Sequence, residues 1–251
     1  MSRSPKAKSF ATEAELCARF IAAIGDGWTA YAETSGWDIL LVRKSDGLQI
    51  GIQAKLKLNA HVINQAIESK YDVDRAGPDC RAILVPADQG NGLSSIATYI
   101  GITVITVKPE TDRHNPVFYP YLPREDRGLS DDWHEQAPLK RHLLPEYVPD
   151  VAAGASAPVQ LTRWKVSAIK IAVTLELRGY VTRDDFKTHK IDHRRWIPQG
   201  WLVSKGGQMT KGVAMPDFAI QHPRVYAEIK ADAEKWMPAS PMNLFSALTP
   251  R

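Results

Sequence analysis

Residues 37–56 read WDILLVRKSDGLQIGIQAKL, two apolar runs separated by a short polar turn. The turn, Lys44-Ser45-Asp46-Gly47, has the composition of a hairpin connection, so the two runs are predicted to pair as antiparallel strands. Polar side chains interrupt both runs, with Asp38 in the first and Gln53 and Lys55 in the second. This hairpin decides the fold prediction, because the neighbouring segments can be placed around it.

The segments on either side of the hairpin complete an α/β pattern. Thr12 and Glu15 have the spacing of a capping box, which predicts a helix start, and an apolar stripe from Leu16 to Ile24 continues the helix. The other predicted elements are a strand at 28–33, a helix at 60–71, a strand at 81–87, a helix at 93–100 and a strand at 102–107. This α-β-β-β-α-β-α-β order predicts a mixed sheet with helices on both faces.

The chain is predicted to have three regions, at 1–108, 109–158 and 159–251. The middle region contains eight of the seventeen prolines and is predicted to be an extended surface linker. In the third region, helices are predicted at 161–178, 182–189 and 192–198, followed by strands at 201–203 and 213–220 around a Gly206-Gly207 turn. This order, three helices and a hairpin, is typical of a winged helix-turn-helix domain.

Charge and composition limit the classes of protein to consider. The whole chain carries a net charge of +4, whereas residues 161–211 alone hold 11 Lys/Arg against 4 Asp/Glu. No apolar run approaches the ~20 residues that a membrane span needs, and no signal peptide is evident, so we expect no membrane partner and a cytoplasmic protein. Two cysteines without a CxxC spacing predict neither a disulfide framework nor a zinc site.

The basic excess of residues 161–211 predicts a surface that faces a polyanion such as duplex DNA, although a solvated basic face or a protein-docking surface would give the same count. Arg194 and Arg195, in the third predicted helix, are the candidates for contact with guanine edges. The candidates for phosphate contact are Lys187, Lys190, Lys205 and Lys211.

The polar residues of the hairpin predict a chemical site. Gln53 and Lys55 are two residues apart on a strand, so they are expected to project from one face, and Asp38 on the paired strand can lie against that face. A carboxylate with a neutral oxygen ligand suits Mg²⁺ or Mn²⁺, which makes Asp38 and Gln53 the predicted metal ligands. Lys55 would orient or deprotonate an attacking water and stabilise charge that develops on phosphorus.

At these residues the sequence resembles the PD-(D/E)XK phosphodiesterase superfamily. The matching segments are residues 36–41 (GWDILL) and 51–56 (GIQAKL). Residues 57–59 and Gln65-Ala66 further resemble an uncharacterised bacterial family of such phosphodiesterases that carries a C-terminal helical DNA-binding-like module. The resemblance implies a restriction-endonuclease-like fold, a divalent metal at Asp38 and Gln53, and a catalytic role for Lys55.

One residue departs from the superfamily pattern, and other residues are alternative candidates for the site. Gln53 replaces the usual acid, which implies weaker metal affinity. Glu15 matches a first-helix glutamate that some relatives use as a ligand, but its capping spacing gives a structural alternative; Glu33 and Gln65 are further candidates. A second, more literal match consists of Asp217 followed by Glu228 and Lys230, in a region where the elements that would complete the fold are hard to find.

The leading functional hypothesis is a metal-dependent DNA endonuclease that a winged helix delivers to double-stranded DNA. The alternatives are a non-catalytic DNA-binding or regulatory protein on a degenerate nuclease fold, motivated by Gln53, and an interaction adaptor of a phage or defence system. A homodimer is left open.

Overall fold

The computed structural model describes residues 9–68, 72, 75–89, 92–112, 116–127, 129–156 and 159–237. The chain divides into two compact units. The first comprises residues 1–144 and 151–160, and the second comprises residues 145–150 and 161–251.

The first unit is built on a six-stranded mixed sheet. Its strands are β1 (Trp28–Thr34), β2 (Trp37–Arg43), β3 (Gln49–Ala54), β4 (Cys80–Pro86), β5 (Thr103–Val107) and β6 (Phe118–Tyr119). They lie side by side in chain order. The pairs β1–β2, β2–β3 and β5–β6 are antiparallel, whereas β3–β4 and β4–β5 are parallel. The predicted mixed α/β class is therefore confirmed.

Helices cover both faces of this sheet. The first-unit helices are α1 (Glu13–Ile21), α2 (Ala60–Ile67) and α3 (Gly92–Tyr99). Helix α1 buries Leu16 and Phe20 in one core, which also holds alternate residues of β3 such as Ile52. Helix α2 buries Val62 in a second core, which holds the opposite alternation of β4, for example Ile83. The two cores follow from the period of two along buried strands.

Much of the region 109–158 belongs to the first unit. The sequence predicts a surface linker there, whereas the structure pairs β6 with β5 and buries Phe118, Leu122, Trp133 and Ala153 in the core beneath α1. The Trp133 indole N–H donates to the Tyr121 carbonyl at 2.8 Å. These apolar side chains fix the segment, because burying them removes a large apolar area from water.

The second unit is mainly helical with one hairpin. Its elements are α4 (Arg163–Arg178), α5 (Arg183–Thr188), β7 (Leu202–Lys205), β8 (Gln208–Lys211), α6 (Phe218–Gln221), α7 (Pro223–Ala231) and α8 (Ala233–Trp236). Thr162 and Thr182 cap α4 and α5, and Gly179 ends α4 with φ of +84°. Trp196 and Phe186 lie at the centre of the core.

Two predicted elements of the second unit differ in the structure. The predicted strand at 213–220 is wrong: β8 ends at Lys211, and Asp217 caps the short helix α6 through a 3.0 Å bond from the Ile220 N–H. The two-residue turn Gly206-Gly207 explains the difference, because it returns the chain at once and places β8 directly after it. The predicted helix at 192–198 is a single 3₁₀ turn over His193–Arg195.

Among the described residues, no helix combines the length and the apolar character needed to cross a membrane.

Candidate active site

Asp38 lies where β2 and β3 stop pairing. The last paired residues at this end are Ile39 and Ile52, and beyond them the Asp38 Oδ2 accepts a 2.7 Å bond from the Ala54 N–H. The carboxylate thus takes the place of a backbone acceptor at the end of the ladder. It is half-buried and held at a defined position by the backbone of β3.

Lys55 follows β3 directly and is held by two partners. Its backbone N–H donates to the Leu84 carbonyl at 3.0 Å, which extends the pairing with β4 by one residue. Its ammonium donates to the Glu13 Oε2 at 2.8 Å, and the two side chains retain 27% and 30% of their exposure. The lysine that the sequence predicts as catalytic is therefore positioned by the first turn of α1.

Glu13 is a residue that the sequence analysis missed. The predicted first-helix candidate, Glu15, instead accepts a 2.8 Å bond from the Ala11 N–H, while the Thr12 hydroxyl accepts from the Glu15 N–H at 3.1 Å. Glu15 is thus occupied in capping α1, as its spacing from Thr12 also predicts. Glu13 could have been found from its position one turn before buried Cys17, since residues four apart share a helix face.

Gln53 is placed differently from the prediction. Ile52 and Ala54 face the α1 core, so alternation puts Gln53 on the opposite face, where the Trp37 ring fills the space beside Gly51. The Gln53 amide nitrogen donates to the Gly36 carbonyl at 2.8 Å. Gln53 and Lys55 do not share a face, because β3 ends at Ala54 and Lys55 turns towards α1.

Glu33 lies on β1 beside the start of β2. The β1–β2 register pairs Ala32 with Ile39 and Thr34 with Trp37, and Glu33 between them has φ of +50°. Its Oε1 accepts a 2.8 Å bond from the Gly154 N–H. Burial raises the pKa of Glu33, an effect that the Gly154 N–H opposes and that the charge of Asp38 reinforces.

Three of these groups, Glu13, Asp38 and Lys55, are called the Lys55 cluster below. Burial raises the pKa of Asp38, although the Ala54 N–H and the charge of Lys55 oppose the shift. Burial alone would lower the pKa of Lys55, but its hydrogen bond with Glu13 and the charges of Glu13 and Asp38 outweigh burial and raise it. The cluster therefore combines an ammonium that stays charged with a carboxylate that resists ionisation.

The donors present fit a divalent metal only through Asp38. Among the described residues, no group of three or more His, Cys, Asp or Glu side chains is arranged to hold a metal. Glu13 is engaged by Lys55, and the Gln53 amide is tied to Gly36. Mg²⁺ needs only one or two carboxylates when water and substrate phosphate fill its other positions, so Asp38 can serve as the protein ligand of such an ion.

The second sequence match does not form a comparable site. Asp217 caps α6, whereas Glu228 and Lys230 are both exposed on helix α7, on either side of buried Ile229. Lys230 pairs with Glu176 at 2.6 Å. Residues two apart on a helix point in nearly opposite directions, so no strand brings Glu228 and Lys230 to one face beside Asp217. Gln65, the remaining candidate, is half-buried on α2.

The six predicted DNA-binding residues fall into two groups. Arg194 forms a two-pronged pair with Asp192, with Nε–Oδ1 at 3.0 Å and a terminal nitrogen–Oδ2 distance of 2.9 Å, and Lys187 pairs with Asp184 at 3.0 Å. Within the described part of the chain the others are exposed and form no ion pair: Lys190, Arg195, Lys205 and Lys211.

Comparison with known proteins assigns no family to this chain. No protein-family model, curated protein or solved structure matches it. The resemblance to the PD-(D/E)XK superfamily thus depends on residues 36–41 and 51–56 and on the order of the elements around them.

A separate groove of about 1310 Å³ lies in the first unit, lined by Trp28, Arg43, Phe118 and their neighbours. Trp28 and Arg43 pair at the end of the β1–β2 hairpin opposite to Asp38. Arg43 lies five positions after Asp38 along β2, which corresponds to roughly 17 Å. The groove is therefore distinct from the Lys55 cluster.

Proposed function

We propose that the first unit hydrolyses phosphodiester bonds in DNA with Mg²⁺ or Mn²⁺, and that the second unit binds duplex DNA. One observation carries the proposal: Asp38 and Lys55, from different strands, are fixed at the same end of β3 and interact electrostatically. A carboxylate and a charged ammonium at one strand end suit the binding of a metal and of a phosphate.

The element order supports a restriction-endonuclease-like core. Strands β1, β2 and β3 form an antiparallel meander, β4 returns parallel to β3 through α2, and α1 covers the opposite face from α2. In the second unit, two helices, a 3₁₀ turn and the β7–β8 hairpin follow the order of a winged helix. The four exposed cations without ion pairs support an anionic partner for that unit.

In the proposed reaction, Asp38 holds the metal, and a bound metal supplies a Lewis acid and an activated water. Glu13 keeps the Lys55 ammonium in place and protonated, so Lys55 acts as a cation and not as a general base. It orients the attacking water and stabilises the negative charge that develops on the phosphate oxygens. Of the two roles towards water that the sequence left open, Lys55 thus takes orientation and not deprotonation.

The proposal is tested with purified full-length protein and supercoiled plasmid in Mg²⁺, Mn²⁺ or EDTA. We expect metal-dependent nicking, reduced by at least about 100-fold in Asp38→Ala and in Lys55→Ala. Lys230→Ala is the matched control, because it removes an ion-paired lysine remote in sequence from the cluster. Equal loss in the control, or nicking that persists in EDTA, would refute the proposal.

A second candidate function, DNA binding without cleavage, is favoured by Gln53. Its amide is committed to the Gly36 carbonyl, so the cluster lacks the second acid of the superfamily pattern. Salt-dependent binding of duplex DNA by a wild-type protein that cleaves nothing with either metal would select this function.

A further inference from the structure

Residues 151–156, called the strap below, pass over the first unit next to the Lys55 cluster. The Gly154 N–H donates to Glu33 Oε1 at 2.8 Å, and the Ala155 N–H bonds to the same carboxylate. Ala153 is buried in the core that also contains α1. The strap is thus attached both by a charge-assisted hydrogen-bond pair and by apolar packing.

The strap lies directly on the first turn of α1. Gly154 has φ of +70°, and a Cβ atom there would lie 3.0 Å from the Glu13 carbonyl carbon and 3.1 Å from the Cys17 Sγ. Cys17 has no exposed surface. Only a glycine allows this approach, so the strap closes the side of α1 that carries the partner of Lys55.

The attachment point itself has an uncommon conformation. Glu33 is a non-glycine residue in the left-handed region, and its carboxylate accepts bonds from backbone N–H groups while its charge faces Asp38. Such conformations persist where the surrounding contacts hold them, and they concentrate at functional sites and switch regions. The backbone N–H groups of the strap are the hydrogen-bond partners of its carboxylate.

The strap is also part of the covalent connection between the two units. Residues 151–160 belong to the first unit and are flanked in sequence by residues 145–150 and 161–251 of the second.

We propose that the strap is an autoinhibitory cover over the α1 side of the Lys55 cluster, latched by Glu33, which must lift before a phosphodiester substrate can reach Asp38 and Lys55. The inference rests on the proposed function and adds its regulation. With the strap closed, the Lys55 and Glu13 side chains retain 27% and 30% of their exposure and Asp38 is half-buried. Release of the strap from Glu33 should increase that exposure.

Two variants test the latch in different ways. Glu33→Ala removes the acceptor, whereas Gly154→Ala keeps Glu33 and forces the strap away from Glu13 and Cys17 by steric contact. Asp26→Ala is the matched control, because it removes an exposed carboxylate of the same unit two residues before Trp28, at the hairpin end opposite to Asp38. The first readout is the rate of Cys17 alkylation by iodoacetamide, with buried Cys80 as the internal reference.

We expect both variants, and not the control, to speed Cys17 alkylation relative to Cys80 by about fivefold or more and to raise the rate of metal-dependent cleavage of duplex DNA by a similar factor. Unchanged Cys17 alkylation in both variants would show that the strap is not a cover over α1, whatever the cleavage rates. Faster alkylation with unchanged or slower cleavage would overturn the inhibition. If no form cleaves DNA, the proposed function fails and the inhibitory role with it, while faster alkylation would still show the strap to be a cover.

Discussion

The Lys55 ammonium lies 2.8 Å from the Glu13 carboxylate, so an ion pair joins the end of β3 to the first turn of α1. This pair accounts for two properties of the cluster. It fixes the position of a side chain with four rotatable bonds, and it keeps the ammonium charged despite partial burial. Each property can be tested separately.

The two glutamates of α1 are predicted to have different roles. Glu13→Gln removes the charge that holds Lys55, and we expect cleavage to fall by about tenfold or more, since a misplaced stabilising group costs that much. Glu15→Gln should leave cleavage unchanged and lower the free energy of unfolding by roughly 0.5–1 kcal/mol, because it weakens only the helix cap. Single-turnover cleavage and urea unfolding of both variants check this, and equal activity of the two variants would contradict the role of Glu13.

The pKa of Asp38 predicts a pH-dependent gain in stability for Asp38→Asn. Burial raises this pKa above its ordinary value of 3.8, so the folded state keeps a proton that the unfolded state has released. The wild type therefore loses stability as pH rises from the unfolded to the folded pKa, and the loss stays constant above that range. Asparagine does not ionise and still offers an oxygen to the Ala54 N–H.

We expect Asp38→Asn to gain stability relative to wild type as pH rises. The difference in the free energy of unfolding, variant minus wild type, should be more positive at pH 7 than at pH 3.5. Urea unfolding at the two pH values measures the difference, with Asp88→Asn as an exposed control that shows no such trend. A relative stability that improves towards low pH would reverse the sign and contradict the burial of Asp38.

The position of Gln53 makes Gln53→Glu an unfavourable exchange, although it restores the acid of the superfamily pattern. A carboxylate at this buried position would face the Gly36 carbonyl without a donor, which should cost about 1–3 kcal/mol of stability. Metal affinity and activity should not improve. Denaturant unfolding and Mn²⁺ titration check this, and tighter Mn²⁺ binding at unchanged stability would return Gln53 to the metal site.

The two arginines of the 3₁₀ turn are predicted to differ in DNA binding. Arg195 forms no ion pair within the described residues, whereas Arg194 is neutralised by Asp192. We expect Arg195→Ala to reduce the slope of log K against log salt by about 1, as for one lost phosphate contact, and Arg194→Ala to change it less. Fluorescence anisotropy with a duplex at several salt concentrations measures both slopes. A larger change in slope for Arg194→Ala than for Arg195→Ala would contradict the assignment of the phosphate contact to Arg195.

Local signals in the sequence were sufficient for most of the first unit. Strand β2 begins and ends where its apolar run does, and Thr12 caps α1 as its spacing predicts. Non-local packing was not predictable: Phe118 and Trp133 complete a core from a proline-rich stretch, because their partners lie far away in the sequence. The two-residue Gly206-Gly207 turn explains why β8 begins at Gln208 and not at the predicted residue 213.

The site was predictable only where the strand pattern held. Asp38 binds the Ala54 N–H directly before Lys55, so both lie at the end of β3. Gln53 lies on the opposite face, because β3 ends one residue before Lys55 and the alternation stops there. The choice between Glu13 and Glu15 depends on which face of α1 meets the sheet, a tertiary fact that capping statistics leave undecided.

Single-turnover cleavage of an end-labelled duplex tests the role of Asp38 most directly. Wild type, Asp38→Ala and Asp217→Ala are each bound to the duplex at equal occupancy, and Mg²⁺ or Mn²⁺ is then added to start the reaction. We expect wild type and Asp217→Ala to cleave once metal is added, and Asp38→Ala to react at least about 100-fold more slowly with unchanged DNA affinity. Full activity of Asp38→Ala together with an inactive Asp217→Ala would contradict this expectation and assign the chemistry to the second unit.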